Sequence, residues 1–387
     1  MSTLNDPLQA AQSLRETIQE HRKETEEARR LAPQIVEGLI ETGLCRLVVP
    51  ASLGGYETDP VTFVRTLEAL AGAEASVAWI AWNNALPCFS MRYLSDTVRT
   101  ELFSDARGLF ANSTRPSGKA VVADGGFRVS GRWSLVSGCE LADWIPVMGV
   151  ITEDNGPRLL APGIPEMRMA YVPKGSYEIL DTWYVGGLRG TGSHDIVVDN
   201  VFVPAEKTFS FLDTAQLDRP IARVPFGATM AAGCAAICLG MAQAALDTLL
   251  DLASTKRQVD PGPGLRDRST VQTLVATTLA EIDAARVLLH TTLEDVWAHC
   301  EQGTPVRLEQ QARVWRSALH AAQRSKSMLT AIFEAAGTSA LYVDCPIERL
   351  HRDIHAVTQH VILAPMWLVE AGRISLGFES ANPLFSS

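Results

Sequence analysis

Gly125-Gly-Phe-Arg-Val-Ser-Gly-Arg-Trp-Ser-Leu-Val-Ser-Gly-Cys-Glu-Leu-Ala-Asp-Trp144 is the stretch of sequence that decides the fold. Its first half alternates with a period near two, which is the pattern of a half-buried β-strand. Asp124-Gly-Gly, which opens this stretch, is typical of a hairpin turn. Residues 145–151 and 195–204 also have strand character. Together these segments predict that residues 109–218 form a β-domain.

Helical patterns flank this β-domain on both sides. Residues 1–108 carry apolar side chains at helical spacing, beginning with an amphipathic helix predicted over residues 14–28. Residues 219–387 carry four long helical patterns, which predict an up-down four-helix bundle. The bundle patterns cover residues 228–255, 270–301, 309–336 and 347–376. The expected fold class is therefore α+β, with an N-terminal helical domain, a central β-domain and a C-terminal four-helix bundle.

The composition argues against several classes of function. The chain has 387 residues and a net charge of −10, with no basic stretch to neutralise nucleic-acid phosphates. Its seven cysteines are scattered without a CxxC pair, which is typical of buried free thiols in a reducing compartment. Residues 1–30 lack the apolar core of a signal peptide, and the most apolar stretch, residues 226–250, contains Gln243 and Asp247. We expect a cytoplasmic protein with neither a membrane span nor a nucleic-acid partner.

Three motifs together resemble the acyl-CoA dehydrogenase superfamily over essentially the whole chain. Val49-Pro-Ala-Ser-Leu-Gly-Gly-Tyr56 is similar to an early turn of the family, and residues 125–144 are similar to its flavin-contacting strand. Leu188-Arg-Gly-Thr-Gly-Ser-His-Asp-Ile-Val-Val-Asp-Asn-Val-Phe-Val-Pro204 resembles its second β-domain signature. The resemblance implies an acyl-CoA dehydrogenase-like fold with a flavin site where the three domains meet, a kind of junction that often binds ligands.

The segment Arg349-Leu-His-Arg-Asp-Ile-His-Ala-Val-Thr-Gln-His-Val-Ile362 separates this chain from the dehydrogenases of the family. Many of those enzymes have an Arg-Asp pair here, followed by a Tyr-Glu-Gly whose glutamate removes the α-proton of a thioester. Aligning Arg352-Asp353 with that pair places His360 and Val361 at the Tyr-Glu positions, and valine cannot accept a proton. The histidine variant resembles the two-component flavin monooxygenase branch.

That resemblance implies a function, a cofactor and partners. The chain would be the oxygenase component that uses reduced flavin (FADH2 or FMNH2) and O2, through a flavin C4a-hydroperoxide, to hydroxylate a phenolic, indolic or polyketide substrate. No Gly-rich dinucleotide motif opens a helix, so a separate NAD(P)H:flavin reductase is expected to supply the reduced flavin. The expected assembly is a homotetramer, a dimer of dimers. An acyl-CoA dehydrogenase with a relocated base, an amine or amino-sugar N-oxygenase and a non-catalytic flavin-binding protein remain open alternatives.

Two residues are expected to act in catalysis. The resemblance places Ser137 beside the flavin N5 atom, where a hydroxyl would slow the loss of peroxide. His360 is expected to take a proton from a phenol or an indole N–H, since a neutral imidazole can act as a base. His351 and His355 have metal-ligand spacing, but no HExxH motif accompanies them and we expect no metal.

Further residues are expected to bind the flavin or the substrate within one chain. The resemblance implies that Asn112, Ser113 and Trp133 line the flavin. Asn83 and Asn84 end an otherwise apolar helix, and they are predicted either to face the substrate or to pair with the backbone.

The resemblance also implies contacts from a neighbouring chain. Gly337, Thr338 and Ser339 are similar to a bundle turn that approaches the flavin of the neighbouring subunit. Arg257 is similar to a family arginine that meets the flavin phosphate across the dimer, and a guanidinium suits phosphate well. A solvated helix-end arginine is the alternative for Arg257.

Overall fold

The structure, a computed structural model, describes residues 6–255, 263–380 and 382. Within these residues the helices form two blocks, α1 to α6 before the sheet and α7 to α12 after it. Their bounds are α1 Pro7–Ser13, α2 Arg15–Ala28, α3 Pro33–Glu41, α4 Pro60–Ala73, α5 Ala75–Ser90, α6 Asp96–Phe103, α7 Pro220–Arg223, α8 Phe226–Thr255, α9 Ser269–Gln302, α10 Leu308–Ala336, α11 Pro346–Val357 and α12 Met366–Ser375.

Local sequence signals set the bounds of the N-terminal helices. Asp59 caps α4, because its carboxylate accepts hydrogen bonds from the amides of Val61 at 2.8 Å and Thr62 at 2.9 Å. The helix predicted over residues 14–28 is observed as α2, and a short separate helix, α1, precedes it. Helix α5 is buried along its whole length, so it forms the centre of this block.

The central domain contains ten strands. They are β1 Ser113–Ala123, β2 Gly126–Val136, β3 Trp144–Glu153, β4 Gly156–Pro157, β5 Leu159–Ala161, β6 Ile164–Pro165, β7 Met167–Pro173, β8 Glu178–Leu180, β9 His194–Pro204 and β10 Thr208–Phe209. The main sheet has the order β10-β7-β3-β1-β2-β9-β8, with β4 also paired to β3, while β5 and β6 form a separate hairpin. The β1–β3 pair is parallel and the other pairs are antiparallel. The predicted β-strands are confirmed.

The β2 strand carries two features that shape the functional site. Gly125, at φ +74°, makes the tight turn from β1 that the sequence predicts. Near the other end of β2, Leu135 has φ +61° and the pairing with β9 shifts register between Trp133 and Val136. This irregularity interrupts the alternation of the strand just before Ser137.

Helix α8 forms the core of the C-terminal block and packs against α4 and α10. It is long and apolar enough to cross a membrane, but 89% of its most apolar window is buried inside the protein. Residues 226–250 are therefore a buried core helix, as the sequence predicts. Helices α9 and α10 match the second and third predicted bundle helices closely.

The prediction of one helix over residues 347–376 is wrong, because two helices with a break between them occupy this segment. Helix α11 ends at Val357, and α12 begins at Met366. Pro365 has no amide hydrogen and disfavours helical geometry at Ala364, which is extended at φ −67° and ψ 145°. His360 consequently lies in an irregular segment rather than on a helix face.

Candidate active site

Two adjoining cavities lie where the three domains meet. The larger cavity, called the cleft, has a volume of about 630 Å³ and lies between α5, β1, β2 and the segment after α11. The smaller cavity, called the pocket, has a volume of about 260 Å³. The residues that line both cavities are Asn83, Asn112, Thr114, His360 and Val361. A molecule in the cleft would therefore lie directly against a molecule in the pocket.

One wall of the cleft carries three buried hydroxyl groups, from Ser137, Thr191 and Ser193. Trp79 donates its indole N–H to Ser137 Oγ at 3.0 Å. The Oγ atoms of Ser137 and Ser193 are 2.7 Å apart, and Thr191 Oγ1 lies 2.6 Å from Ser193 Oγ. Pairing between the end of β2 and the start of β9 brings these residues together.

The pocket is lined mainly by aromatic and thioether side chains. Phe211 stacks on Phe226 with ring centroids 5.2 Å apart, and Trp82 donates its indole N–H to the carbonyl of Met230 at 2.9 Å. The other large apolar residues of its wall are Leu86, Met148, Ile362 and Trp367. Among the described residues, no Asp, Glu, Lys or Arg side chain lines the pocket. Such a cavity suits an uncharged aromatic molecule.

His360 lies where the cleft and the pocket join, packed edge-on against two indole rings. Its ring centroid is 5.4 Å from that of Trp79 and 5.3 Å from that of Trp82. Burial, with the nearby Arg115 as a second cause, lowers the pKa of His360 to about 4. Its Nδ1 accepts a hydrogen bond from the amide of Ile362 at 3.2 Å. The ring is therefore neutral at pH 7 and carries its proton on Nε2 in this arrangement.

Two neighbouring residues of α11 hold the loop of residues 186–188 against the cleft. Asp353 accepts a hydrogen bond from the amide of Leu188 at 2.7 Å, while Arg352 donates to the carbonyl of Gly186. Asp353 is almost fully buried, and burial, followed by the negative charge of Glu74, raises its pKa. Any side chain added to Gly187 would collide with the backbone carbonyl of Arg352, so this close approach requires glycine.

Besides His360, the structure brings four predicted residues close to this junction: Ser137, Asn112, Ser113 and Asn83. Asn112 and Ser113 line the cleft, as does Asn83, which donates from its side-chain amide to the carbonyl of Ser137 at 2.9 Å. Asn112 in turn donates to the side-chain oxygen of Asn83 at 3.0 Å. Asn84 lines neither cavity, because its side chain bonds the carbonyl of Ile80 and the amide of Phe110.

The remaining predicted residues lie away from the cleft or outside the described residues. Trp133 is fully buried in the core of the sheet, donates to the carbonyl of Met148 and lines neither cavity. The register shift that follows it explains why later residues of β2 face the cleft while Trp133 does not. Residues 337–339 form a surface turn that does not line the cleft of its own chain. Arg257 lies outside the described residues.

Three residues in the wall of the cleft that carries the buried hydroxyls, Trp79, Thr191 and Ser193, were not predicted from the sequence. Trp79 lies within an apolar helix pattern, where a tryptophan is usually a core residue. Thr191 and Ser193 lie in the motif of residues 188–204, which indicates the family but gives these two hydroxyls no role by itself. Their hydrogen bonds to one another arise from pairing between distant strands, which no local pattern reveals. His351, whose ring stacks on Phe333 at 4.3 Å, lies outside both cavities.

Comparisons with known proteins agree with this architecture. Residues 8–103 match the acyl-CoA dehydrogenase N-terminal domain, and residues 232–365 match the acyl-CoA dehydrogenase C-terminal domain. A flavin-dependent monooxygenase oxygenase subunit, HsaA, from Rhodococcus jostii is 32% identical, over 92% of this chain and 94% of the relative. The chain belongs to the flavin-dependent monooxygenases of the acyl-CoA dehydrogenase family.

Two further relatives of this monooxygenase support the assignment. An indole-3-acetate monooxygenase from Pseudomonas putida is 30% identical, over 92% of this chain and 89% of the relative. The crystal structure of a 3-HSA hydroxylase from Rhodococcus superposes with a TM-score of 0.90 at 29% identity, covering 98% of this chain and 99% of that one. This protein is thus a flavin-dependent monooxygenase.

The cleft of this monooxygenase fits a flavin. Its volume lies in the range of cofactor sites, and indole side chains, a backbone loop, and hydroxyl and amide groups line it. Ser137 Oγ is buried and yet lines the cleft, so it can form one more hydrogen bond with a ring atom. Among the described residues, no carboxylate lines the cleft or the pocket, so neither cavity of this chain offers the carboxylate base that the family resemblance associates with thioester dehydrogenation.

Proposed function

We propose that this monooxygenase hydroxylates an uncharged aromatic compound, with reduced FAD or FMN delivered by a separate NAD(P)H:flavin reductase. The observation that carries the proposal is the junction at His360 between a polar cleft and an aromatic pocket, neither of which is lined by a carboxylate in the part of the chain that the structure describes. The name of the Rhodococcus jostii relative, an oxygenase subunit, supports a separate reductase. The aromatic pocket favours ring hydroxylation over the alternatives of N-oxygenation and of flavin binding without catalysis.

Ser137, Asn112 and Ser113 are the proposed flavin contacts within this chain, with Ser137 at N5. A reduced flavin bound there supplies the activation of O2. Around it, Trp79 and the loop of residues 186–188 form a wall that limits access of water to the ring. Asn83 braces this wall through its bond to the Ser137 carbonyl and also reaches the substrate pocket.

His360 is the proposed substrate contact at the junction. In the observed arrangement its Nε2–H is a donor, suited to an oxygen of the substrate. To serve as the base expected from the sequence, Nε2 would have to lose this proton, and Nδ1 would have to give up its bond to Ile362. We therefore propose hydrogen-bond donation as the resting role of His360, with proton acceptance only after that bond breaks.

The substrate is proposed to be uncharged because, among the described residues, no Lys or Arg side chain lines the pocket, and Arg115 lines only the cleft. Transferring an ionised group from water into an apolar cavity without a cationic partner costs several kcal/mol. A phenol or an indole, by contrast, needs one hydrogen-bond partner for its polar atom, and Asn83, Asn112, Thr114 and His360 lie at the mouth of the pocket.

We propose further that the protein assembles as a homotetramer in the cytoplasm. The segment that follows residues 337–339 exposes three apolar side chains, Leu341 at 66%, Tyr342 at 71% and Val343 at 81%. Such a patch suits contact with another subunit, which would carry Gly337, Thr338 and Ser339 towards a neighbouring flavin. The seven cysteines form no disulfide, in keeping with a reducing compartment.

Paired substrates test the proposed function. With a general flavin reductase, NADH and O2, hydroxylated products are measured for indole against indole-3-acetate, and for phenol against 4-hydroxyphenylacetate. We expect the uncharged member of each pair to be favoured in kcat/KM by about tenfold or more, since several kcal/mol of desolvation separate them. A preference for both carboxylates would contradict an uncharged substrate. Absence of any product, together with bleaching of bound oxidised flavin by an acyl-CoA, would support a dehydrogenase instead.

A further inference from the structure

A continuous row of hydrogen bonds runs behind the cleft and ends on a backbone carbonyl. The hydroxyl row, defined as Ser137, Ser193 and Thr191, is buried, with 6%, 3% and 2% exposure. At one end Trp79 donates its N–H to Ser137 at 3.0 Å, and at the other end Thr191 lies 2.9 Å from the carbonyl of Leu188. Only Ser137 of these hydroxyls has been assigned a role so far.

Counting protons gives the hydroxyl row a direction. An indole N–H can only donate, a carbonyl can only accept, and each hydroxyl has one proton. All four hydrogen bonds form together only when Ser137 donates to Ser193, Ser193 donates to Thr191, and Thr191 donates to Leu188. In this direction Ser137 has no proton left for the cleft, so it presents a lone pair there.

The opposite direction is available at a modest cost. If Thr191 donates to Ser193 and Ser193 donates to Ser137, the proton of Ser137 is free to point into the cleft. The bond from Thr191 to Leu188 is then lost, although the Leu188 carbonyl still accepts from the Thr191 amide at 3.1 Å and from Trp183 at 3.2 Å. One neutral hydrogen bond therefore favours the first direction, by roughly threefold to tenfold in population.

The two directions suit two oxidation states of a flavin. Reduced flavin carries a hydrogen on N5 and donates it, whereas N5 of oxidised flavin has no hydrogen and accepts. We propose that Thr191 and Ser193 are positioning residues that fix the Ser137 hydroxyl as an acceptor, so that the site binds reduced flavin in preference to oxidised flavin. This inference rests on the proposed placement of Ser137 at N5. An oxygenase that receives reduced flavin from a separate reductase could by this preference release the flavin once it is oxidised.

The test compares affinities for the two oxidation states. The dissociation constants of oxidised flavin in air and of reduced flavin under anaerobic conditions are measured for wild type, Ser193→Ala and Thr191→Val. Ser193→Ala removes the acceptor of the Ser137 proton, and Thr191→Val removes the acceptor that keeps Ser193 from donating to Ser137. In both variants the preference for reduced over oxidised flavin should therefore fall by about threefold to tenfold. Preferential binding of reduced flavin raises the two-electron reduction potential of the bound flavin above that of free flavin. A tenfold fall in the preference lowers this difference by about 30 mV.

Three controls separate orientation from general damage to the site. Thr191→Ser keeps a hydroxyl and should retain the wild-type preference. Ser317→Ala removes another buried hydroxyl, one that bonds Thr292 in the bundle away from the cleft, and should leave both affinities unchanged. In a Ser137→Ala background, adding Ser193→Ala should no longer change the preference, because the hydroxyl that it orients is gone.

Three outcomes would overturn the inference, and they differ in what they say about the proposed function. If Ser137→Ala alters the preference but Ser193→Ala and Thr191→Val do not, Ser137 contacts the flavin and the row does not orient it. If Ser137→Ala itself leaves both affinities unchanged, the placement of Ser137 at N5 is wrong and the inference fails with it. Loss of preference in Thr191→Ser equal to that in Thr191→Val would also contradict a role for the hydroxyl.

Discussion

The cleft and the pocket share five residues, yet they select their contents by different physical means. The cleft uses hydrogen bonds with defined donors and acceptors, from Ser137, Ser193 and Thr191 and from the loop of residues 186–188. The pocket uses ring packing, with stacked Phe211 and Phe226 on one side. Hydrogen bonds discriminate between chemical states of one cofactor, whereas an apolar cavity discriminates mainly by size and charge.

This difference follows from how each cavity is built. Three domains supply the cleft, so its loop needs specific anchors such as Arg352 and Asp353 on α11. The pocket also takes residues from all three domains, but helices α5 and α8 supply six of the residues in its wall, and their buried faces are fixed by close packing. Changes to the anchors should therefore affect flavin binding, and changes to the rings should affect substrate binding.

The largest effect is expected from Asp353→Ala. This change removes the acceptor for the amide of Leu188, and an unpaired buried amide costs about 1–3 kcal/mol. We expect the dissociation constant for reduced flavin to rise by roughly fivefold to more than a hundredfold, because the loop of residues 186–188 loses its fixed position. The measurement is anaerobic flavin titration, alongside binding of an aromatic ligand.

Asp353→Asn is the matched control, because an amide oxygen can still accept from Leu188. Its flavin affinity should remain within about threefold of wild type, since the acceptor for the Leu188 amide is retained. Equal losses in the Ala and Asn variants would show that the charge of Asp353, rather than the bond to the loop, supports the cleft.

A smaller effect is expected from protonation at the junction of the two cavities. Burial lowers the pKa of His360 to about 4, whereas an unfolded histidine titrates near about 6.5. As pH falls from 7 to 5, the unfolded chain binds a proton at this residue and the folded chain does not, so stability decreases. The contribution of His360 to this loss is at most roughly 2 kcal/mol.

His360→Asn isolates that contribution, because it removes the titrating group and keeps an acceptor for the amide of Ile362. The free energy of unfolding is measured for both proteins at pH 7 and pH 5, at one protein concentration. Wild type should lose more stability than the variant over this interval. The same loss in both proteins would place the pKa of His360 near its ordinary value.

The sequence predicts the scaffold better than it predicts the two cavities. Alternation in β2 and helical spacing in α8 to α10 give the correct elements, because both patterns are local. The break at Pro365 escaped prediction, although proline is a local signal, since apolar spacing continues across it. His360 was expected on a helix face and lies in this break instead.

The sequence also predicted some residues of the cleft correctly and misplaced others. Ser137 and Asn112 were predicted through a resemblance between motifs, and both line the cleft. Trp133 was expected there too. A register shift between β2 and β9 falls between the two residues, so the side chain of Trp133 lies in the core of the sheet while Ser137 lines the cleft. Such a shift depends on the pairing of two strands far apart in the chain, so neither strand alone reveals it.

The smallest effect is expected from Phe226→Leu, which tests whether the pocket responds separately from the cleft. Phe226 lines the pocket, and a pair of aromatic rings, here Phe226 and the ring of the substrate, contributes about 0.5–1.5 kcal/mol beyond its buried area. The dissociation constant for an aromatic substrate should therefore rise by roughly threefold to tenfold, while that for reduced flavin stays unchanged.

Phe103→Leu is the matched control, because Phe103 is fully buried, stacks on Phe110 at 4.6 Å and lines neither cavity. It should destabilise the fold without weakening substrate binding. If Phe226→Leu weakened flavin and substrate binding equally, the two cavities would have to be treated as one coupled site, since the rings would then be supporting the cleft as well.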